Sequence, residues 1–169
     1  DIGKQRLMLP DAMLRIASVT KPLTASAIRH LISEGFFNID DNVFNLGQPG
    51  GGLLPVNPFP GVGDARLKNI TVEDLLLHEG GWDRDTAGPG GTYLDLTYQE
   101  VTIATAMGVP SPPGRVNILD YILGQPLQNT PGTTYAYSNI GFMVLGMIVE
   151  QFSGMALDTY LQSHILAPL

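Results

Sequence analysis

Ser18 and Lys21 stand three residues apart in the stretch Arg15-Ile16-Ala17-Ser18-Val19-Thr20-Lys21-Pro22. On a helix, residues at i and i+3 share a face and their side chains can meet. A serine hydroxyl becomes a competent nucleophile only when a neighbour takes its proton. Lysine can take it only as the free amine, a form favoured by burial and by positive potential. A helix N-terminus supplies such potential, and its free backbone N–H can meet a developing oxyanion. The plain alternative is a helix start, because serine is a favoured cap and Ser-x-x-Lys is common by chance.

The second constellation is Tyr137-Ser138-Asn139. A tyrosine beside a Ser/Lys pair can relay a proton to a leaving group. An asparagine amide can donate to a substrate carbonyl. Read alone, Tyr137 packs and Ser138 or Asn139 caps the helix that follows. Other chemistry-bearing residues rank lower. His78-Glu79 is not a zinc motif, since Trp82 stands where HExxH needs its second histidine. His30 and His164 read as helix residues, His164 facing solvent. Asp83 and Asp85 could pair with Arg84. Trp82 reads as core, the alternative being a place on the wall of a substrate cleft. Gly47 to Gly52 lacks the Lys-Ser/Thr of a P-loop. No metal site and no cofactor are expected.

These residues need elements to hold them. Leu23, Ala27, Leu31, Ile28 and Ile32 recur at helical spacing, which predicts a helix over Ala17–Glu34. Proline is tolerated only in a first turn, so Pro22 places the helix start close to Ser18. Gly35 should end it in a left-handed conformation. Further short helices are predicted with caps at Asp40 (through Phe44), Thr71, Thr97 (to Met107) and Asn117 (Ile118–Leu123), the Thr71/Asp74 and Thr97/Glu100 pairs having capping-box spacing. Ile140–Phe152 reads as a buried helix, broken by Gly154 and followed by a last helix over Leu157–Leu166. Residues 47–63, 83–92 and 108–114 are Gly/Pro-rich loops. Only Gln5–Met8, Leu53–Val56 and Thr133–Tyr137 are strand candidates.

The chain has 169 residues, is 44% hydrophobic and carries a net charge of -7. That is about one domain with enough apolar mass for a core. The acidic balance excludes nucleic acid as a partner, because phosphate binding needs a basic surface. No apolar run reaches the roughly 18 residues needed to span a membrane. The absence of cysteine excludes disulfides and thiolate chemistry.

Three blocks in order carry a resemblance. "RIASVTKPLTASAIRHLISEGFFNIDDNV", "ITVEDLLLHEGGW" and "PGTTYAYSNIGFMVLGMIVEQFSGMALDTYLQSHILAPL" resemble recurrent segments of the serine β-lactamase and penicillin-binding protein family. The variant resembled is the group of class C β-lactamases, D-alanyl-D-alanine carboxypeptidases and related esterases. The resemblance implies Ser18 as the acylated nucleophile, and Lys21 either as its proton acceptor or as the cation that holds Tyr137 as phenolate. It implies Tyr137 as proton shuttle, Asn139 as the residue that orients the substrate's acyl amide, and the Ser18 N–H as half of an oxyanion hole. His78 would shape a loop near the site.

The departures matter equally. No Lys/His-Thr/Ser-Gly strand motif occurs anywhere. The expected fold is therefore mainly α, the helical region of a β-lactamase-like α/β fold with most of the antiparallel sheet missing. The expectation is a single domain over 1–169, cut at both ends. The implied function is a serine hydrolase acting on β-lactams, D-alanyl peptides or small esters. The alternative is a non-catalytic module that binds cell-wall-like ligands without a complete oxyanion hole. The substrate partner would be a small molecule. A homo-oligomer is one way to cover apolar faces left by the missing sheet, and the family resemblance favours an extracytoplasmic location.

Overall fold

The computed structural model describes residues 9, 12–48 and 50–168. Its central element is a helix, α5 (Asn139–Ser153), whose Ile140, Val144, Leu145, Ile148 and Val149 are buried. Each such aliphatic side chain contributes about 1.5–3 kcal/mol on full burial. Against α5 packs α1 (Thr20–Ser33), which buries Thr24, Ala27, Ile28 and Leu31. The expected helix over Ala17–Glu34 is thus present, with Ala17–Val19 as a 3₁₀ turn leading into it. Gly35 follows at φ 80°, the left-handed ending that its position predicted.

Between α1 and α5 lie β1 (Phe44–Asn45), β2 (Leu54–Pro55), α2 (Val72–Leu76), α3 (Glu100–Met107) and α4 (Gly114–Leu123). α6 (Leu157–Tyr160) and a π-helical turn (Leu161–Leu166) close the chain and pack on α1 and α5. Gly146 lets α6 approach, since a Cβ there would sit 3.0 Å from the Leu157 side chain. Among the described residues the only sheet is the parallel pair β1–β2, with Phe44 opposite Leu54. The mainly helical expectation holds. No single helix among the described residues is long and apolar enough to cross a membrane.

Four local expectations fail, one to long-range bonds and two to a different local bond. Asp40 caps no helix. The Val43 N–H is taken by the Ile70 carbonyl, while Ile39 and Asp41 carbonyls accept from Glu73 and Val72. Those bonds tie the turn at 39–43 to residues 70–73, and Phe44 enters β1 instead of a helix. The Thr97/Glu100 box does not form either. The Thr97 N–H and hydroxyl both donate to Asp95, and α3 starts without a side-chain cap. Asn117 lies inside α4, donating to the Pro113 carbonyl, so that helix begins a turn earlier than expected. The Thr133–Tyr137 candidate forms no strand. Of the other two candidates, Leu53–Val56 contains β2, and Gln5–Met8 lies outside the described residues.

The Thr71/Asp74 capping box at α2 is fully made, each side chain bonding the other's backbone N–H. α2 in turn packs on α5, which sets the loop after it against the start of α5. That loop carries His78, Trp82 and Arg84.

Candidate active site

Ser18 sits in the 3₁₀ turn immediately before α1, and Lys21 in the first turn of α1. The i, i+3 relation brings the Lys21 Nζ to 3.2 Å from the Ser18 Oγ. Ala17, one residue before Ser18, has φ 46°. That left-handed conformation is disfavoured for a residue with a Cβ and costs on the order of 1–3 kcal/mol. The turn is held by the Thr20 hydroxyl, which donates to the Ala17 carbonyl at 2.7 Å, and by the Val19 N–H on Ile16. The strain falls on the bend that presents Ser18 to solvent.

Tyr137-Ser138-Asn139 arrives at the same point from the start of α5. Ser138 is the N-cap residue of α5, but its hydroxyl makes no cap bond. The Asn139 side chain is likewise turned away from the helix. Its Oδ1 accepts from Lys21 Nζ at 2.8 Å, and its Nδ2 donates to Asp95 at 2.7 Å and to the Tyr98 hydroxyl at 3.3 Å. Asn139 thus serves the cleft instead of the helix, while the Ser138 hydroxyl is buried with no hydrogen-bond partner among the described residues.

The Tyr137 hydroxyl is 2.6 Å from Ser18 Oγ and accepts from Lys21 Nζ at 2.7 Å. The ammonium of Lys21 therefore spends its three N–H donors on Ser18, Tyr137 and Asn139. Burial raises the cost of ionising Tyr137. The hydrogen bonds from Lys21 and Ser18, with the charges of Lys21 and Arg84, outweigh it and hold the phenol below its ordinary pKa. His78 stacks near the Tyr137 ring, centroids 4.7 Å apart, and its Nδ1 accepts from the Ser138 N–H. Burial and the Lys21 charge push the His78 pKa down, which keeps the ring neutral and able to accept that bond. His78 therefore props the turn that carries Tyr137, as expected, and does so from a backbone φ of 60°.

Ser18, Lys21, Asn139, Thr97, Tyr98 and Met143 line one open cleft of about 340 Å³. Among the described residues no strand borders it. All four residues singled out from the sequence meet at its edge, Ser18, Lys21 and Asn139 on the wall and Tyr137 bonded to Ser18 and Lys21. Three that sequence reasoning did not place here also belong. Asp95 is buried at 2% exposure and holds Asn139. Arg84 lies over the Tyr137 ring, its Cζ 4.5 Å from the centroid. Tyr98 lines the cleft. The only available signal for Arg84 was its place two residues past Trp82, and Asp95 gave none.

The remaining candidates sit elsewhere. Trp82 is buried edge-on against Phe44. His30 hydrogen-bonds the buried Tyr160 hydroxyl, and the exposed His164 stacks on the same ring. Asp83 accepts within its own turn, while Asp85 lies 3.7 Å from Arg84. Among the described residues no cluster of three or more His, Asp or Glu side chains could hold a metal ion.

The model of the family described as Beta-lactamase matches residues 1–169. A protein of Escherichia coli (strain K12) named "Putative D-alanyl-D-alanine carboxypeptidase" is 30% identical over 155 residues, which is 91% of this chain and 31% of the relative. The chain thus spans about a third of the length of the curated relatives it matches. The octameric penicillin-binding protein homologue from Pyrococcus abyssi is 28% identical at TM-score 0.54, over 89% of this chain and 30% of that one. The D-amino acid amidase from Ochrobactrum anthropi SV3 shares the fold at TM-score 0.64 and 24% identity, over 99% of this chain and 38% of that one.

Proposed function

Since this chain belongs to the beta-lactamase family, we propose that it carries the nucleophile side of a serine acyl-transfer site, with Ser18 as the residue acylated. The observation that carries this reading is the 2.6 Å contact between Ser18 Oγ and the Tyr137 hydroxyl, with Lys21 bonded to both oxygens. As Ser18 Oγ attacks the substrate carbonyl carbon, its proton passes to the Tyr137 oxygen. Lys21 stabilises the negative charge on that oxygen beforehand and stays charged throughout. Collapse of the tetrahedral species breaks the carbonyl bond to the leaving nitrogen or oxygen, which takes the proton back from Tyr137. Water then cleaves the acyl-Ser18 ester by the same route in reverse. The substrate class is a β-lactam, a D-alanyl peptide or a small ester.

Asn139 takes part through Lys21. Its oxygen is committed to the Lys21 ammonium, and one amide hydrogen to Asp95. The longer bond to the exposed Tyr98 is the one a substrate carbonyl would displace.

A second reading is binding without turnover. It is favoured by the absence of a bordering strand among the described residues, since one lost oxyanion donor costs roughly 10²- to 10³-fold in rate. Incubation with a fluorescent penicillin and with 4-nitrophenyl acetate, read by intact-protein mass, separates the two. A covalent adduct that maps to Ser18 and vanishes in Ser18→Ala is expected. No adduct, or one that survives in Ser18→Ala, overturns the acyl-transfer reading. Met13, Leu14, Ile16 and Val19 stand exposed on the approach to Ser18, and a second copy of the chain would cover them. A monomer mass by light scattering overturns that part.

A further inference from the structure

Arg84 has no task in the acyl-transfer steps, yet it lies against the site. Its guanidinium is over the Tyr137 ring at 4.5 Å and beside the ring of Tyr93 at 5.5 Å. Its Nη1 is 3.9 Å from Asp95 Oδ2. The backbone joins the two segments as well, because the Leu94 N–H donates to the Arg84 carbonyl at 2.6 Å. Asp95 is a carboxylate almost wholly out of water, which is costly without compensation. It is compensated by Arg84 on one side and by donors from Thr97 and Asn139 on the other.

The chemistry of Asp95 fixes more than its own charge. A carboxylate only accepts hydrogen bonds and an ammonium only donates them. The Asn139 amide lies between Asp95 and Lys21, so just one of its two flip states makes both bonds. Its NH₂ must face Asp95 and its oxygen must face Lys21. A neutral residue at 95 would leave that choice open.

We propose that Arg84 and Asp95 are a pair of positioning residues behind the site. Asp95 orients the Asn139 amide toward Lys21. Arg84 neutralises Asp95 and, laid on the ring of Tyr137, favours negative charge on the phenol oxygen. Arg84 suits the task because guanidinium is planar, stays charged and stacks on aromatic faces. The groups that face Tyr137 are Lys21 from α1, His78 after α2, Arg84 from the following loop and Ser18 from the 3₁₀ turn, with Asp95 behind Asn139. The proposal rests on Tyr137 acting as the proton acceptor.

The test is the ionisation of Tyr137, followed by NMR of protein carrying ¹³Cζ-tyrosine and assigned by the signal lost in Tyr137→Phe. In Arg84→Met the midpoint should rise by roughly half a pH unit or more, and Arg84→Lys should restore part of the shift. Asp95→Asn should slow acylation of Ser18 by 4-nitrophenyl acetate roughly tenfold or more, as the amide loses its fixed orientation. Circular dichroism checks the fold of each variant, and Arg84→Gln replaces Arg84→Met if the latter does not fold. A midpoint unmoved in the neutral variant, or moved equally in Arg84→Lys, overturns the role of Arg84. Unchanged acylation in Asp95→Asn overturns that of Asp95. The readouts separate this proposal from the one beneath it. A shifted midpoint in a protein that gives no Ser18 adduct removes the acyl-transfer reading and keeps the electrostatic support of Tyr137. An adduct with a fixed midpoint does the reverse.

Discussion

Lys21 Nζ and the Tyr137 hydroxyl lie 2.7 Å apart although 116 residues separate them in sequence. The contact exists because α1 and α5 pack side by side with their N-terminal ends together. It concentrates a serine, a lysine, a tyrosine and an asparagine at one cleft.

Removing the Lys21 charge should silence the site without unfolding the protein. Lys21→Met is expected to lower the rate of Ser18 acylation by roughly 10²- to 10⁴-fold, the range for losing the proton acceptor, because Tyr137 then lacks the charge that readies its oxygen. Lys21→Arg should not rescue, because a planar fork cannot aim at the three acceptors that a tetrahedral ammonium meets. Stopped-flow release of nitrophenolate measures both. A rate within a few-fold of wild type would show that Lys21 is not part of the chemistry.

Stability should fall with acid through His78. Its folded-state pKa lies below the ordinary value of 6.5, mainly through burial and the nearby Lys21 charge. The unfolded chain then binds the proton more readily than the folded one. The contribution is complete above about pH 6.5 and is lost as pH falls toward the folded pKa. Urea unfolding at pH 7.5 and pH 5 should give a smaller loss in His78→Asn, a residue that tolerates the left-handed backbone and can still accept from Ser138. An equal loss in both proteins would exclude His78 as the source.

The capping box at α2 is a separate handle on the loop that carries His78 and Arg84. Thr71→Ala leaves the Asp74 N–H without its partner. A cost of about 0.5–2 kcal/mol is expected from the urea midpoint at unchanged slope. A neutral result would mean that the end of α2 is held by its packing on α5 alone.

Behind Tyr137, the Trp82 Nε1, Arg84 Nε and Ser138 Oγ are all enclosed and have no hydrogen-bond partner among the described residues. All three residues line one small cavity with Asp95 and Gln128. Buried polar atoms of this kind are usually satisfied by ordered water, which makes about three hydrogen bonds. A crystal structure at high resolution should show one water touching at least two of these atoms. A dry cavity, or side chains that repartner with one another, would contradict it.

Local chemistry was readable from the chain itself. Pro22 and the apolar spacing after it placed a helix start at Ser18, and i, i+3 spacing put Lys21 on the same face. Gly35 and the Thr71/Asp74 box marked boundaries that the fold keeps, since their bonding partners are sequence neighbours. The same reasoning failed at Asp40, where residues 70–73 bond the neighbouring backbone, and at Thr97 and Asn117, where Asp95 and Pro113 offer a different local bond.

The sequence by itself determined which residues could do chemistry here: Ser18 and Lys21 by helical spacing, Tyr137 and Asn139 by their place before a buried helix. Only the tertiary structure decided that they meet, that Asn139 serves Lys21 instead of capping α5, and that Asp95 and Arg84 stand around them. Spacing along one helix is a local property. The position of a loop carboxylate beside an amide on another element depends on how α1, α2 and α5 pack, and no short window of sequence contains that.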